Sequence, residues 1–166
     1  MPKSLLEIRR ETRKAQRQVI RQAFFNKTAE HLFEQGVQSR LVMLEGTCAY
    51  KGPNNTSCAI GCHIPDEKYK IGMEGNGVRQ LLHSFKKELR GVFTHIPLSL
   101  MDDLQTVHDC EGYGTVLRGF NTNPWSSTGA MRHALRMVAA KHNLDYLFLH
   151  TLSFPGKLFD IPENQD

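Results

Sequence analysis

The chain of 166 residues is long enough for one domain with its own hydrophobic core. Its composition, 40% hydrophobic and 23% charged, is that of a globular protein and excludes collagen, low-complexity disorder and a long coiled coil. No apolar run reaches the roughly 20 residues that span a bilayer, and the first residues lack the apolar core of a signal peptide. We therefore expect a cytoplasmic protein whose four cysteines are reduced thiols.

The first predicted helix is strongly basic. Residues 4–25 contain neither Gly nor Pro, and Ser4 followed by Glu7 predicts a capping box. Residues 3–27 carry eight basic and two acidic residues, whereas residues 28–166 carry 13 basic and 15 acidic residues. At about 100° per residue, an apolar stripe and a basic face lie on opposite sides of this helix. The stripe contains Leu5, Ile8, Thr12, Ala15, Val19 and Ala23. The basic residues are Arg9, Arg10, Arg13, Lys14, Arg17 and Arg21.

This basic face has three interpretations. It binds the phosphates of nucleic acid, it docks on an acidic protein or an anionic membrane, or it is a solvated face whose apolar stripe packs on the domain. We predict that residues 1–25 form a basic, partner-contacting helix. Residues 26–152 then form the globular domain and residues 153–166 a mobile tail.

The remaining chain predicts an α+β fold that is mainly helical: one compact domain with a small antiparallel β-hairpin. A second helical stretch ends at Gly36, and turn residues around Pro53 predict the hairpin over residues 47–60. A single helical turn follows Pro65. Further helices are predicted over residues 78–89, from a capping box at Ser99 and Asp102, and from Pro124 to Asn143.

Cysteine and histidine are concentrated around residues 48–63 and 108–110. Both are zinc ligands, but no CxxC pair is present, and Cys58 and Cys62 would lie about 13 Å apart in an extended segment. We therefore expect no metal. A Cys-His-Asp nucleophile is the alternative, and His108 also suits the buried side of a helix. The residues of such a nucleophilic set are Cys58 or Cys62, His63 or His108, and Asp109 or Asp66.

The glycines of the Gly72–Gly77 segment precede a predicted helix, where free backbone N–H groups bind anions. The segment lacks the lysine of a phosphate-binding P-loop, and a tight turn is its simpler interpretation.

Several strings of residues resemble a family of small uncharacterised proteins encoded by bacteriophages and prophages. They are C-x-Y at 48–50, C-A-I-G-x-x-I-P-D-x-x-Y at 58–69, M-E-G at 73–75 and L-Q-x-x-H-D at 104–109, with Trp125 before the last helix. The similarity runs from about Thr28 to Leu144. It implies a phage accessory protein in an infected bacterial cytoplasm and carries no established activity.

We therefore predict an accessory protein, in host takeover or anti-defence, that binds a host protein or nucleic acid through its basic helix. We expect it to need no cofactor. The sequence leaves open whether the protein forms a homo-oligomer. A protein that sequesters a small nucleotide and a Cys/His-dependent enzyme are the alternatives. The expected ligand or recognition surface is Tyr50, His63, Asp66, Tyr69, Glu74, Asn76, His108 and Asp109.

Overall fold

The computed structural model describes residues 3–41, 47–109 and 123–156, and its fold is mainly helical, as predicted. Four α-helices are present in these residues: α1 (Leu5–Gln35), α2 (Val78–Ser84), α3 (Leu98–Asp109) and α4 (Thr128–His142). Single 3₁₀ turns connect them, including the predicted turn after Pro65, at Asp66–Lys68. Strands β1 (Arg40–Leu41) and β2 (Thr47–Cys48) pair antiparallel over two residues each, too few to form a layer of sheet.

The β-hairpin predicted over residues 47–60 is wrong. Strand β2 pairs with β1 and not with the segment that follows the turn. The chain does reverse, and Cys58 N–H donates a hydrogen bond of 3.1 Å to the Ala49 carbonyl. From Gly61 to His63, however, it winds into a 3₁₀ turn instead of continuing as a strand. The predicted turn around Pro53 is therefore present, but the segment beyond it packs against α1 and does not return as a strand.

Helix α1 is one uninterrupted helix where the sequence predicts two helical stretches. The capping box is confirmed, because Glu7 N–H donates to Ser4 Oγ and Ser4 N–H donates to the Glu7 carboxylate. The helix ends at Gly36, which has the left-handed φ of 66° expected of a C-cap glycine. Residues 3–17 are all exposed, and burial begins at Phe24. The predicted boundary at residue 25 therefore falls inside a continuous helix.

Each of the three later helices differs from its predicted bounds at one end. Helix α2 ends at Ser84, and turns replace its predicted continuation to Leu89. Helix α3 begins at Leu98, so Ser99 lies inside the helix and does not cap it. Helix α4 begins at Thr128, after a separate 3₁₀ turn at Pro124–Ser126, and not at Pro124. It ends as predicted, with Asn143 in the left-handed conformation at φ 54°.

The core lies where the second half of α1 meets α3, α4 and the turns between residues 58 and 73. Its largest fully buried side chains include Phe25, Leu32, Phe33, Ile60, Leu104 and Leu135. The start of the predicted mobile tail is instead packed on the domain, because Phe154 is buried and stacks on Trp125 at 5.9 Å between ring centroids. The rest of that tail, residues 157–166, lies outside the described residues. Among the described helices, none is long and apolar enough to cross a membrane.

Candidate functional site

The first candidate site is the exposed part of α1, residues 5–21, which we call the basic arm. Leu5 is 76% exposed and Val19 is 68% exposed, so the apolar stripe of the arm does not pack on its own domain. This contradicts the interpretation in which the stripe anchors the arm to the body. The arm therefore extends from the body as a helix whose apolar stripe and basic face are both exposed to solvent.

The basic side chains of the arm have no acidic partner among the described residues. Of its two glutamates, Glu7 caps the helix and Glu11 pairs with Lys3 at 2.6 Å. Arg21 Nε is buried without a hydrogen-bond partner. A cavity of about 430 Å³ is lined by Arg10, Arg13, Lys14, Arg17, Gln18 and Arg21. These cations are therefore uncompensated and available to an anionic partner.

The basic face of the arm points to the same side of α1 as the body. Arg17, Arg21, Phe24 and Thr28 follow one another at intervals of three or four residues, so they share one stripe of the helix. Phe24 and Thr28 are buried in the body. The basic side chains consequently lie on the side of α1 that packs on the body further along the helix, and the apolar stripe lies on the opposite side.

Two glutamines fix the arm at its base, and the sequence analysis did not identify them. Gln22 Nε2 donates to the Asp145 carbonyl, and Asp145 N–H donates back to Gln22 Oε1, both at 2.8 Å. Gln18 Nε2 donates to the Asn143 carbonyl at 2.6 Å. In the sequence these glutamines stand out only by their i, i+4 spacing beside the basic face. That spacing does not indicate that they bond to the loop after α4.

The second candidate is a polar cluster at the C-terminus of α3. The Sγ of Cys48, the Nδ1 of His108 and a carboxylate oxygen of Asp109 lie within 4.8 Å of one another. Gln105 Nε2 lies 2.8 Å from both Cys48 Sγ and Asp109 Oδ1. The thiol beside His108 is thus that of Cys48, whereas the sequence pointed to Cys58 or Cys62.

Which ring nitrogen of His108 carries the proton determines whether this cluster can bind a metal ion. Ser39 N–H donates to His108 Nε2 at 3.1 Å, so the neutral ring carries its proton on Nδ1 and donates it to Asp109 at 2.8 Å. A metal bound at Nδ1 would move that proton to Nε2, where it would oppose the Ser39 N–H. The donor set therefore does not fit a metal ion. His108 is 1% exposed, in agreement with the buried histidine of the sequence analysis.

Two thiols of this region, those of Cys48 and Cys62, are held in their protonated form. A hydrogen bond with Cys58 and burial raise the pKa of Cys48, and the negative charge of Asp109 adds to the effect. Burial also raises the pKa of Cys62 to about 12. Since the thiolate is the nucleophile, this arrangement disfavours the Cys/His-dependent enzyme.

Four predicted surface residues form one internal network instead. The Glu74 carboxylate accepts hydrogen bonds from Tyr50 N–H at 2.9 Å, Lys51 N–H at 3.0 Å and Tyr69 OH at 2.7 Å. Tyr50 OH donates to the Asn76 carbonyl at 2.7 Å. Burial and then Glu74 raise the pKa of Tyr69, so its hydroxyl stays a donor. These groups satisfy each other and hold the loop in place.

His63 lies against α1, whereas Asp66 is linked to the network through Lys51. His63 stacks on Phe24 at 3.9 Å between ring centroids, and its Nε2 lies 2.8 Å from Thr28 Oγ1. Asp66 pairs with Lys51 at 2.9 Å. Five of the residues expected to form one recognition surface are therefore connected through these contacts. His63 packs on α1 instead, and His108 and Asp109 lie in the cluster with Cys48.

The Gly72–Gly77 segment is a closed turn. Asn76 Nδ2 donates to the carbonyls of Gly72 at 2.9 Å and Met73 at 3.0 Å. Helix α2, which follows, has seven residues, too few for a strong helix dipole. The nucleotide alternative therefore finds no support in this segment.

Comparisons with known proteins give no match: no protein-family model, no curated protein and no solved structure matches this chain.

Proposed function

We propose that this protein binds double-stranded nucleic acid through its basic arm. The observation that supports this most is the row of cations on an exposed helix, none of which is neutralised within the described residues. Each cation that lies on a phosphate releases condensed counterions and so contributes salt-dependent affinity. The proposed partner is therefore a polyanion.

A duplex suits the arm better than a single strand. Arg10 and Arg21 are eleven residues apart, which corresponds to about 16 Å along the helix axis. An α-helix fits the major groove, about 12 Å wide, where phosphates of both strands flank it. Single-strand binding relies on aromatic side chains that stack on the bases, and the arm contains none.

The setting we propose is that of a phage accessory protein, in host takeover or anti-defence, acting in an infected bacterial cytoplasm. It rests on the resemblance of residues 48–75 and 104–109 alone. An acidic host protein is the competing partner, because the same cations would bind carboxylates. The experiment below separates the two.

The test measures binding of a fluorescent 20-base-pair duplex by anisotropy at several salt concentrations. The variant Arg10→Gln, Arg13→Gln, Arg17→Gln removes three exposed arm cations. The matched control, Lys27→Gln, Lys70→Gln, Arg79→Gln, removes three exposed cations elsewhere. We expect the arm variant to bind more weakly and its slope of log K against log salt to fall by about 0.9 for each lost phosphate contact. The control should keep the slope of the original protein.

Two outcomes would contradict the proposal. Equal binding of the duplex by the arm variant and the original protein would place the contact outside the arm. Failure of the original protein to bind the duplex at low salt, together with arm-dependent binding of polyglutamate, would make the partner an acidic protein.

A further inference from the structure

We propose that a groove formed by the end of α2 and the turns that follow it, at residues 82–94, binds a nucleoside di- or triphosphate. The groove has a volume of about 700 Å³, within the roughly 300–1,000 Å³ of small-molecule sites. Its lining includes the apolar residues Leu82, Leu89 and Phe93 and the basic residues Lys86, Lys87 and Arg90. This site is separate from the arm and does not depend on the function proposed for it.

The groove combines an apolar floor with a cationic rim. Leu89 is 5% exposed, and Leu82 and Phe93 are half-buried, so the floor belongs to the edge of the core. The three basic side chains of the rim are exposed, and none forms an ion pair within the described residues. A ligand that fits must therefore present an apolar body and several negative charges.

The backbone after α2 creates this arrangement. Gly91 has a φ of 84° and His95 a φ of 66°, two left-handed residues that turn the chain back on itself instead of continuing the helix. The Phe93 ring packs edge-to-face against Phe24, with ring centroids 6.2 Å apart and an angle of 74° between the ring planes. A Cβ at Gly91 would meet nothing within 4 Å, so the space above the turn is open.

The charge of the rim selects the ligand. Three cations match the charge of a polyphosphate, whereas the single carboxylate of a fatty acid would leave two of them uncompensated. Phe93 offers an aromatic surface for a base, which an acyl chain does not require. The Lys68 ammonium, 3.1 Å from the Arg90 carbonyl, adds positive potential beside the rim.

The test is calorimetric titration of the full chain with ATP. We expect one site per chain in the original protein and an affinity at least about tenfold weaker in the variant Lys86→Gln, Lys87→Gln, Arg90→Gln. The arm variant and the Lys27, Lys70, Arg79 control, each lacking three positive charges, should bind ATP like the original protein. Phe93→Leu should weaken binding of ATP but not of inorganic triphosphate.

Three results would overturn the inference. The first is no ATP binding at millimolar concentration. The second is loss of ATP binding in the arm variant rather than in the groove variant, which would show general attraction of a polyanion to the arm. The third is tighter binding of dodecanoate than of ATP in the groove, which would make it an acyl site. None of these results would contradict duplex binding by the arm, so the two proposals fail separately.

Discussion

The backbone N–H of Ser39 donates a hydrogen bond of 3.1 Å to His108 Nε2, across 69 residues of chain. This contact forces the ring proton onto Nδ1, where it faces Asp109. As a result, Nδ1 cannot take a proton from the neighbouring Cys48 thiol, 3.7 Å away. What resembles a Cys-His-Asp set by composition is a hydrogen-bond network around the buried His108, and it links the segment after α1 to α3.

Cys48 should therefore be slow to react with iodoacetamide. In the folded protein at pH 7.5, we expect its labelling to lag behind that of the same residue in urea by at least about a hundredfold, because its raised pKa leaves little thiolate. Mass spectrometry of the Cys48 peptide after timed labelling measures this. Cys62, whose pKa is also raised, serves as an internal comparison. Rapid labelling of Cys48 in the folded protein would contradict this prediction and make Cys48, in place of the predicted Cys58 or Cys62, the candidate nucleophile beside His108.

Local signals predicted three of the helix ends, but not the start of α3 or the end of α2. The Ser4–Glu7 capping box, Gly36 and Asn143 each act through hydrogen bonds and backbone angles within a few residues, and all three are confirmed. The hairpin was not predictable in this way. Its turn is local, but the partner of β2 was decided by long-range packing, which brought Ser39 and Arg40 beside it.

The close approach of Gly61 to Tyr50 supplies a test of that packing. A Cβ on Gly61 would lie 1.8 Å from the Tyr50 carbonyl oxygen, so the two backbone segments leave room for glycine alone. We expect Gly61→Ala to lower the free energy of unfolding by at least about 3 kcal/mol, as overpacking of backbone on backbone cannot relax through a side chain. Urea unfolding at pH 7.5 measures the loss.

Gly129→Ala is the matched control, since the nearest atom to its Cβ would be Ser127 Oγ at 3.8 Å. In the first turn of α4 alanine should stabilise the helix by up to about 1 kcal/mol. If Gly61→Ala unfolded at the same urea concentration as the original protein, residues 58–63 could not pack on Tyr50 as described.

The sites were harder to predict than the elements. The expected recognition surface included Tyr50, Tyr69 and Glu74, which lie within hydrogen-bond distance of one another through the Glu74 carboxylate, but nothing in the sequence indicated that these polar groups bond to each other. Likewise, the basic face of the arm was visible in the sequence, whereas its orientation towards the body follows only from the burial of Phe24. Whether a polar side chain is available to a ligand or already hydrogen-bonded within the protein depends on partners that are distant in the sequence.

His63 should make the stability of the protein depend on pH. Burial, reinforced by the positive charges of Lys27 and His31, lowers its pKa from 6.5 to about 3. The unfolded chain then binds a proton that the folded chain does not, so the contribution of neutral His63 is intact above pH 6.5 and is lost as pH falls towards 3. Between pH 7.5 and 4.5 this loss amounts to about 2–3 kcal/mol.

The variant His63→Phe isolates that contribution, because a phenyl ring can keep the stacking on Phe24 but does not titrate. It should cost about 1 kcal/mol at pH 7.5, where the hydrogen bond to Thr28 Oγ1 is lost. At pH 4.5 it should be the more stable protein, because the unfolded state no longer gains a proton at this position. His83→Gln, at an exposed position on α2, controls for the removal of a histidine. Urea unfolding at both pH values measures each protein. An equal loss of stability on acidification in the original protein and in His63→Phe would mean that the His63 ring takes up its proton without leaving the stack on Phe24.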